Sequence, residues 1–163
     1  MDQFQRALAL MDATPTVLQS LLRSIGPDQM ATKPSESGWS VSDVLDHLLY
    51  VETAVIPVRI HAMLEQDNPT FAAGAPAPAP SDPDAVLQHW LAARAENLAY
   101  LRALSPAQFD RTGQHPRLGT INVREHVIEW AYHDLDHLRQ IMDCLQVDLY
   151  SHIGVFTALY PRA

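Results

Sequence analysis

Only one cysteine, Cys144, stands in the 163 residues, so no disulfide can form within the chain. Ile141, Met142 and Leu145 surround it in sequence, and apolar surroundings raise a thiol pKa, so Cys144 reads as a small buried residue rather than a reactive one. Positive charge is also scarce. Eleven Lys and Arg stand against 19 Asp and Glu, a formal net charge of -8, and no basic cluster offsets it locally. Phosphate binding needs a concentrated basic surface, so nucleic acid is not expected as a partner. No apolar run approaches the roughly 20 residues needed to span a bilayer. The opening Met1-Asp2-Gln3-Phe4-Gln5-Arg6 lacks the basic and apolar regions of a signal peptide. A cytoplasmic protein with no membrane partner is the expectation. Strand signals and internal repeats are lacking as well.

What is present is an ordinary globular mixture, 47% apolar and 18% charged. It is long enough for a single domain over residues 1–163 that buries a core without staples. Phe4, Leu8, Met11, Leu18, Leu21 and Leu22 keep a helical rhythm from about Asp2 to Ser24, with Pro15 predicting a kink or break near Thr14. Gly26-Pro27 ends that helix, and the stretch from Ala31 to Gly38 reads as loop. Ser40 with Asp43 forms a capping box for a second helix, and Trp39 is placed to staple onto Val44. Val44, Leu45, Leu48, Val51, Val55 and Val58 continue it, and Pro57 predicts a bend, since Ile60, Met63 and Leu64 resume the pattern. From Asp67 to Pro83 the chain turns to Pro, Ala and Gly, a polyproline-like connector that at about 3.1 Å per residue extends some 50 Å.

A third helix opens at Ser81-Asp82-Pro83 and runs through Trp90 and Leu98 to Leu104, where Ser105-Pro106 stops it. Residues 107–120 show no period and read as a surface loop. Asn122, with Glu125 three residues on, caps a fourth helix that carries Val123, Val127, Trp130, Ala131, Leu138, Ile141 and Leu145 on one face to Val147. The tail to Ala163 reads as a short final helix.

Eight histidines stand in the chain. His133 and His137, in His133-Asp134-Leu135-Asp136-His137, fall one helical turn apart, roughly 6 Å along the axis, so both imidazoles can reach one metal ion. Alone, a pair at this spacing is a weak signal. It gains weight because Trp130 and Ile141 share its face, and buried uncharged imidazoles need partners. His47, in Asp43-Val44-Leu45-Asp46-His47-Leu48-Leu49, is the best third ligand. His126 lies two turns, about 10.5 Å, before His133, too far to share its ion easily, and reads as pocket lining. Asp134 and Asp136 could orient rings, but solvent-facing positions suit them better. His61, His89, His115 and His152 receive no functional role.

Trp39-Ser40-Val41-Ser42-Asp43-Val44-Leu45-Asp46-His47-Leu48 and His133-Asp134-Leu135-Asp136-His137-Leu138-Arg139-Gln140-Ile141 resemble the early and late motifs of the DinB/YfiT-like superfamily, in order and spacing along nearly the whole chain. The resemblance implies an all-α four-helix bundle of up-down-down-up topology, with a long crossover between the second and third helices. It also implies one divalent cation, zinc or nickel, held by His47, His133 and His137. Asp136 departs from the pattern, since many relatives carry a further His there that is not usually a ligand. Relatives are often dimers, and a homodimer is expected.

Three imidazoles leave coordination positions open to water or substrate, as in catalytic rather than closed structural sites. The first reading is a small-molecule hydrolase of amides or esters using metal-bound water. The second is a metal-dependent low-molecular-weight-thiol S-transferase, an activity the resemblance implies, with Arg59, Arg124 or Arg139 meeting carboxylates. The third is a non-catalytic metal-binding, stress-associated protein. Asp46, Tyr50 and Glu129 are all plausible general bases, and none is singled out.

Overall fold

The computed structural model describes residues 2–72 and 82–161. Four long helical rods form a four-helix bundle. They are α1 (Gln3–Leu22), the rod of α3 (Val41–Tyr50) and α4 (Ile56–Glu65), α5 (Pro83–Arg102) and α6 (Val123–Tyr150), with a short α2 (Pro27–Ala31) after the first. The caps follow from sequence chemistry. Ser40 accepts from the backbone N–H of Asp43 while Asp43 accepts from that of Ser40, and Asn122 and Glu125 repeat the exchange. Asp82 caps α5, with Pro83 in its first turn.

Two buried clusters mark the levels of the bundle. Phe4, Met11, Ile60, Leu101 and Val123 belong to one. Leu18, Val44, Val86 and Ile141 belong to the other. At the first level lie the start of α1, the end of α5 and the start of α6, so α1 and α6 run one way and α3–α4 and α5 the other. The connector expected to cross the bundle includes residues 73–81, which lie outside the described residues.

Between the clusters sits a charged layer. Arg94 of α5, 1% exposed, donates from Nε and Nη2 to Glu52 at 2.9 and 2.7 Å and from Nη1 and Nη2 to Asp134 at 2.5 and 2.9 Å. Its guanidinium carbon lies 4.6 Å from the Trp90 ring centroid and 5.6 Å from that of Trp130. Burial works against the charge, but the hydrogen bonds and charges of Asp134 and Glu52 outweigh it and hold the guanidinium protonated.

Both helical prolines feed this layer. The α1 helix is continuous through Pro15, correcting the expected break near Thr14. Pro15 cannot donate to the carbonyl four residues back, that of Met11, and Arg94 Nη1 donates to that carbonyl instead at 3.1 Å. Before Pro57 the chain widens into a π-helical segment, Val51–Val55, which replaces a simple bend. Ile56 N–H bonds to Val51 in the wider register. Pro57 leaves the next carbonyl, Glu52, without that bond, and Asn97 Nδ2 donates to it at 3.0 Å.

Residues expected as loop contain a hairpin. Thr112–His115 (β1) pairs antiparallel with Gly119–Asn122 (β2). The three-residue connection closes on Gly119 at φ 80, a left-handed position glycine tolerates. His115 Nδ1 accepts from the N–H groups of Arg117 and Leu118. Periodicity missed the hairpin because its strands are four residues long and polar. A side chain at Gly113 would put Cβ 2.3 Å from the Phe71 ring, so the hairpin packs closely on the chain leaving α4. The short final helix expected in the tail is a 3₁₀ helix, Gly154–Leu159.

Candidate metal centre

The face of α6 that carries Trp130 and Ile141 into the core also carries His137, which is buried. His133, one turn earlier, is half-buried, as is His47, which α3 brings across from the neighbouring rod. Nε2 of His133 lies 3.1 Å from Nε2 of His47 and 3.0 Å from Nε2 of His137. One ligand atom from each of the three falls within 4.8 Å of the other two, and no other such group of His, Cys, Asp and Glu occurs among the described residues.

Neutral imidazoles cannot satisfy this meeting by themselves. Each ring has one N–H and one lone pair; an Nε2–H on His133 would have to be shared between both neighbours, and His133 Nδ1, buried without a hydrogen-bond partner, would stay unsatisfied. A cation about 2.0–2.1 Å from each nitrogen in tetrahedral geometry separates the nitrogens by roughly 3.3 Å. The two spacings to His133 need only a few tenths of an ångström of relaxation to match, and the third lies within 4.8 Å, so the donor set fits a divalent cation. Protonation is set for the same purpose. Burial, with the charge of His137 behind it, lowers His47 to about 4. Burial, then His137 and His47, lowers His133 to about 4. His137 is also lowered by burial, with Gln140, Asp136 and Asp134 opposing. All three are therefore neutral near pH 7, the form that coordinates.

Two supporting residues escaped the sequence reading. The Nδ1–H of His137 donates to Gln140 Oε1 at 2.9 Å, which leaves the Nε2 lone pair facing the other rings. The i,i+3 spacing could have revealed Gln140. Trp39, expected as a staple on Val44, also lies against the site histidines. Its ring stacks on His137 at 5.8 Å and 2° and tilts against His47 at 4.8 Å. The Trp39 carbonyl accepts from the Cys144 thiol at 3.3 Å, which ties the loop before α3 to α6. Burial pushes the Cys144 thiol up, in keeping with a structural role.

Asp134 is the clearest reversal. It was expected to face solvent, yet it is 1% exposed and bonded to Arg94, because the residue after His133 turns into the bundle rather than out of it. Asp136 does lie near the surface, paired with Arg139 at 3.0 Å.

Among the possible bases, Asp46 is buried on α3 and Tyr50 packs at the margin of the core. Glu129 stands one turn before His133, its side chain 53% exposed. Burial raises its carboxyl, but the hydrogen bond and charge of His126, then His133 and Arg59, outweigh that and hold it low. His126 lines a cavity of roughly 180 Å³ with Arg59, His115 and Glu129, as its reading as pocket lining requires. Of the three arginines considered for carboxylate binding, Arg59 alone lines this cavity. Arg124 pairs with Asp2, and Arg139 with Asp136 and Asp143. His61 packs on Tyr100 with ring centroids 4.2 Å apart, His89 is exposed on α5, and His152 is exposed beyond α6.

Comparison with known proteins bears on family and fold. Residues 10–141 match the family model of the DinB superfamily. A protein of Oceanobacillus iheyensis described as a "putative metal-dependent hydrolase" is 26% identical over 144 residues, covering 78% of this chain and 77% of its own length. YfiT from Bacillus subtilis, described as a "probable metal-dependent hydrolase with an unusual four-helix bundle topology", superposes with a TM-score of 0.77 at 19% identity, over 88% of this chain and 86% of its own. TT2238, another four-helix bundle protein, has a TM-score of 0.62 at 24% identity, over 85% of this chain and 98% of its own.

Proposed function

This chain belongs to the DinB superfamily, and on that premise we propose that it is a metal-dependent hydrolase of small amides or esters, with His47, His133 and His137 holding one divalent cation. The convergence of three neutral Nε2 atoms from two rods carries the reading. The names of the Oceanobacillus and Bacillus proteins agree with it. A divalent cation held by these three imidazoles would supply Lewis acidity, making a water more acidic and a substrate carbonyl more electrophilic.

The chain's own residues supply the rest. Gln140 fixes the tautomer of His137. Trp39 covers one side of the His47 and His137 rings and limits approach from that direction. Glu129, kept ionised one turn from His133, is the best-placed group to take a proton when water adds across the scissile bond. The net reaction releases an acid and an amine or alcohol. Elemental analysis of protein purified without a metal-affinity tag tests the first step. One equivalent of zinc or nickel per chain supports it, and none in several preparations overturns it.

Arg59 in the cavity near Glu129 favours a second reading, in which a low-molecular-weight thiol is transferred and its carboxylate meets that guanidinium. Turnover that requires added thiol would select this reading. Exposed Val155, Phe156, Leu159 and Tyr160 favour a homodimer. Sedimentation equilibrium showing only an 18.2 kDa species at tens of micromolar would remove that element.

A further inference from the structure

The cavity beside the metal centre has a composition that bears on the ligand it would take. It lies between α4, the hairpin and α6, walled on the hairpin side by Leu118 and Ile121. The polar groups lining it are of opposite kinds. Arg59 offers a guanidinium, half-buried with its carbon 5.6 Å from the Phe71 ring centroid. Glu125 and Glu129 line the same space. His126 is 6% exposed; its Nδ1 faces Glu129 Oε2 at 3.4 Å, and its Nε2 is buried with no hydrogen-bond partner.

That orphaned nitrogen is the informative atom. With Glu129 accepting the Nδ1 proton, the neutral ring presents a bare lone pair at Nε2, a buried acceptor left without a hydrogen bond. A bound group carrying an N–H satisfies it. A simple anion in this space would face two carboxylates, and a simple cation would face Arg59. A head group bearing a carboxylate and an amino or amide N–H together answers both. Its carboxylate meets Arg59, and its N–H meets His126 Nε2.

We propose that this cavity is the recognition pocket for an amino-acid-type head group, carboxylate and N–H together, on a substrate whose reactive end reaches the three histidines. Glu129 and His126 stand four and seven residues before His133 on α6, a rise of about 6 and 10.5 Å. The ligand is therefore about the size of a dipeptide. The metal reading governs only what happens at its far end, so the pocket is testable by itself.

Three probes with one carbon skeleton make the test: L-norleucine, hexanoate, which lacks the amino group, and pentylamine, which lacks the carboxylate. Each is titrated at pH 7.5 into the protein as purified and into chelator-treated protein, following by NMR the imidazole C–H resonances of His115, which lines the same cavity and is present in every variant. The expected result is saturable norleucine binding at least tenfold tighter than either fragment, retained after chelation, and weakened at least tenfold in Arg59→Met and in His126→Phe. Arg59 is half-buried at the rim, so Arg59→Met keeps the test valid if His126→Phe fails to fold. Equal affinity for hexanoate or pentylamine, no saturable binding, or wild-type affinity in Arg59→Met overturns the proposal. Metal content is measured on the same samples. Wild type that carries no metal as purified yet binds norleucine rejects the metal reading and keeps the pocket, whereas protein that carries metal as purified and is indifferent to all three probes does the reverse.

Discussion

Arg94 and Pro15 complement each other across the bundle: the guanidinium on α5 bonds the Met11 carbonyl that the proline in α1 leaves without a helical donor. The same guanidinium binds Glu52, at the π-helical turn beside Pro57, and Asp134, next to His133. A single buried cation thus links the irregular points of two rods to the helix that carries two of the three site histidines.

Proline inside a helix ordinarily costs about 3 kcal/mol, in part from the unmade hydrogen bond. Here the carbonyl is already satisfied, so Pro15→Ala should change stability by less than about 1 kcal/mol. Urea denaturation checks this. A gain approaching the full helix penalty would show that Arg94 does not compensate the proline.

Arg94→Met leaves Glu52 and Asp134 buried without their cation and should destabilise the protein by about 3–5 kcal/mol. Adding Glu52→Gln and Asp134→Asn to that variant removes the stranded charges and should recover part of the loss. Denaturation midpoints of the single and triple variants decide it, and a triple variant less stable than the single would refute the account.

His133→Ala should abolish tight metal binding, while His61→Ala and His89→Ala leave it intact, since neither of those rings approaches the cluster. Metal content by elemental analysis is the readout. Equal content in all three variants would sink the ligand assignment.

Trp39 makes the centre visible by fluorescence. Its ring stacks on His137, whereas Trp90 and Trp130 lie beside Arg94. Nickel added to chelator-treated protein should quench emission with a one-to-one end point, and Trp39→Phe should lose most of the response. Undiminished quenching in that variant would place the ion elsewhere.

Chelator-treated protein should lose stability on acidification. His47 and His133 are each lowered from 6.5 to about 4 by burial first and neighbouring histidines second, so folding favours their neutral forms. That contribution is fully present above pH 6.5 and is lost as pH falls toward 4, where the unfolded chain takes up protons that the folded one resists. Melting temperature between pH 8 and pH 4 should follow this course, and the slope should be shallower in His133→Phe. Bound metal competes with the same protons, so the loaded protein should keep its ion until pH falls toward 4, where the folded imidazoles take up protons.

The sequence by itself determined the helices, because apolar residues at threes and fours and the caps at Ser40, Asp82 and Asn122 are local signals that need no partner. It also determined the pairing of His133 with His137, since one helical turn sets that distance. Only the tertiary structure decided that His47 completes the cluster, that Trp39 covers it and that Asp134 turns inward, because those outcomes depend on which face of one rod meets another. Arg94 shows the reason most plainly. Nothing local to α5 singles it out, and it is buried among acceptors that α1, the π-turn and α6 each present at the same level. The hairpin from Thr112 to Asn122 was likewise decided in three dimensions, since its four-residue polar strands are held by packing on Phe71 rather than by any periodic pattern of their own.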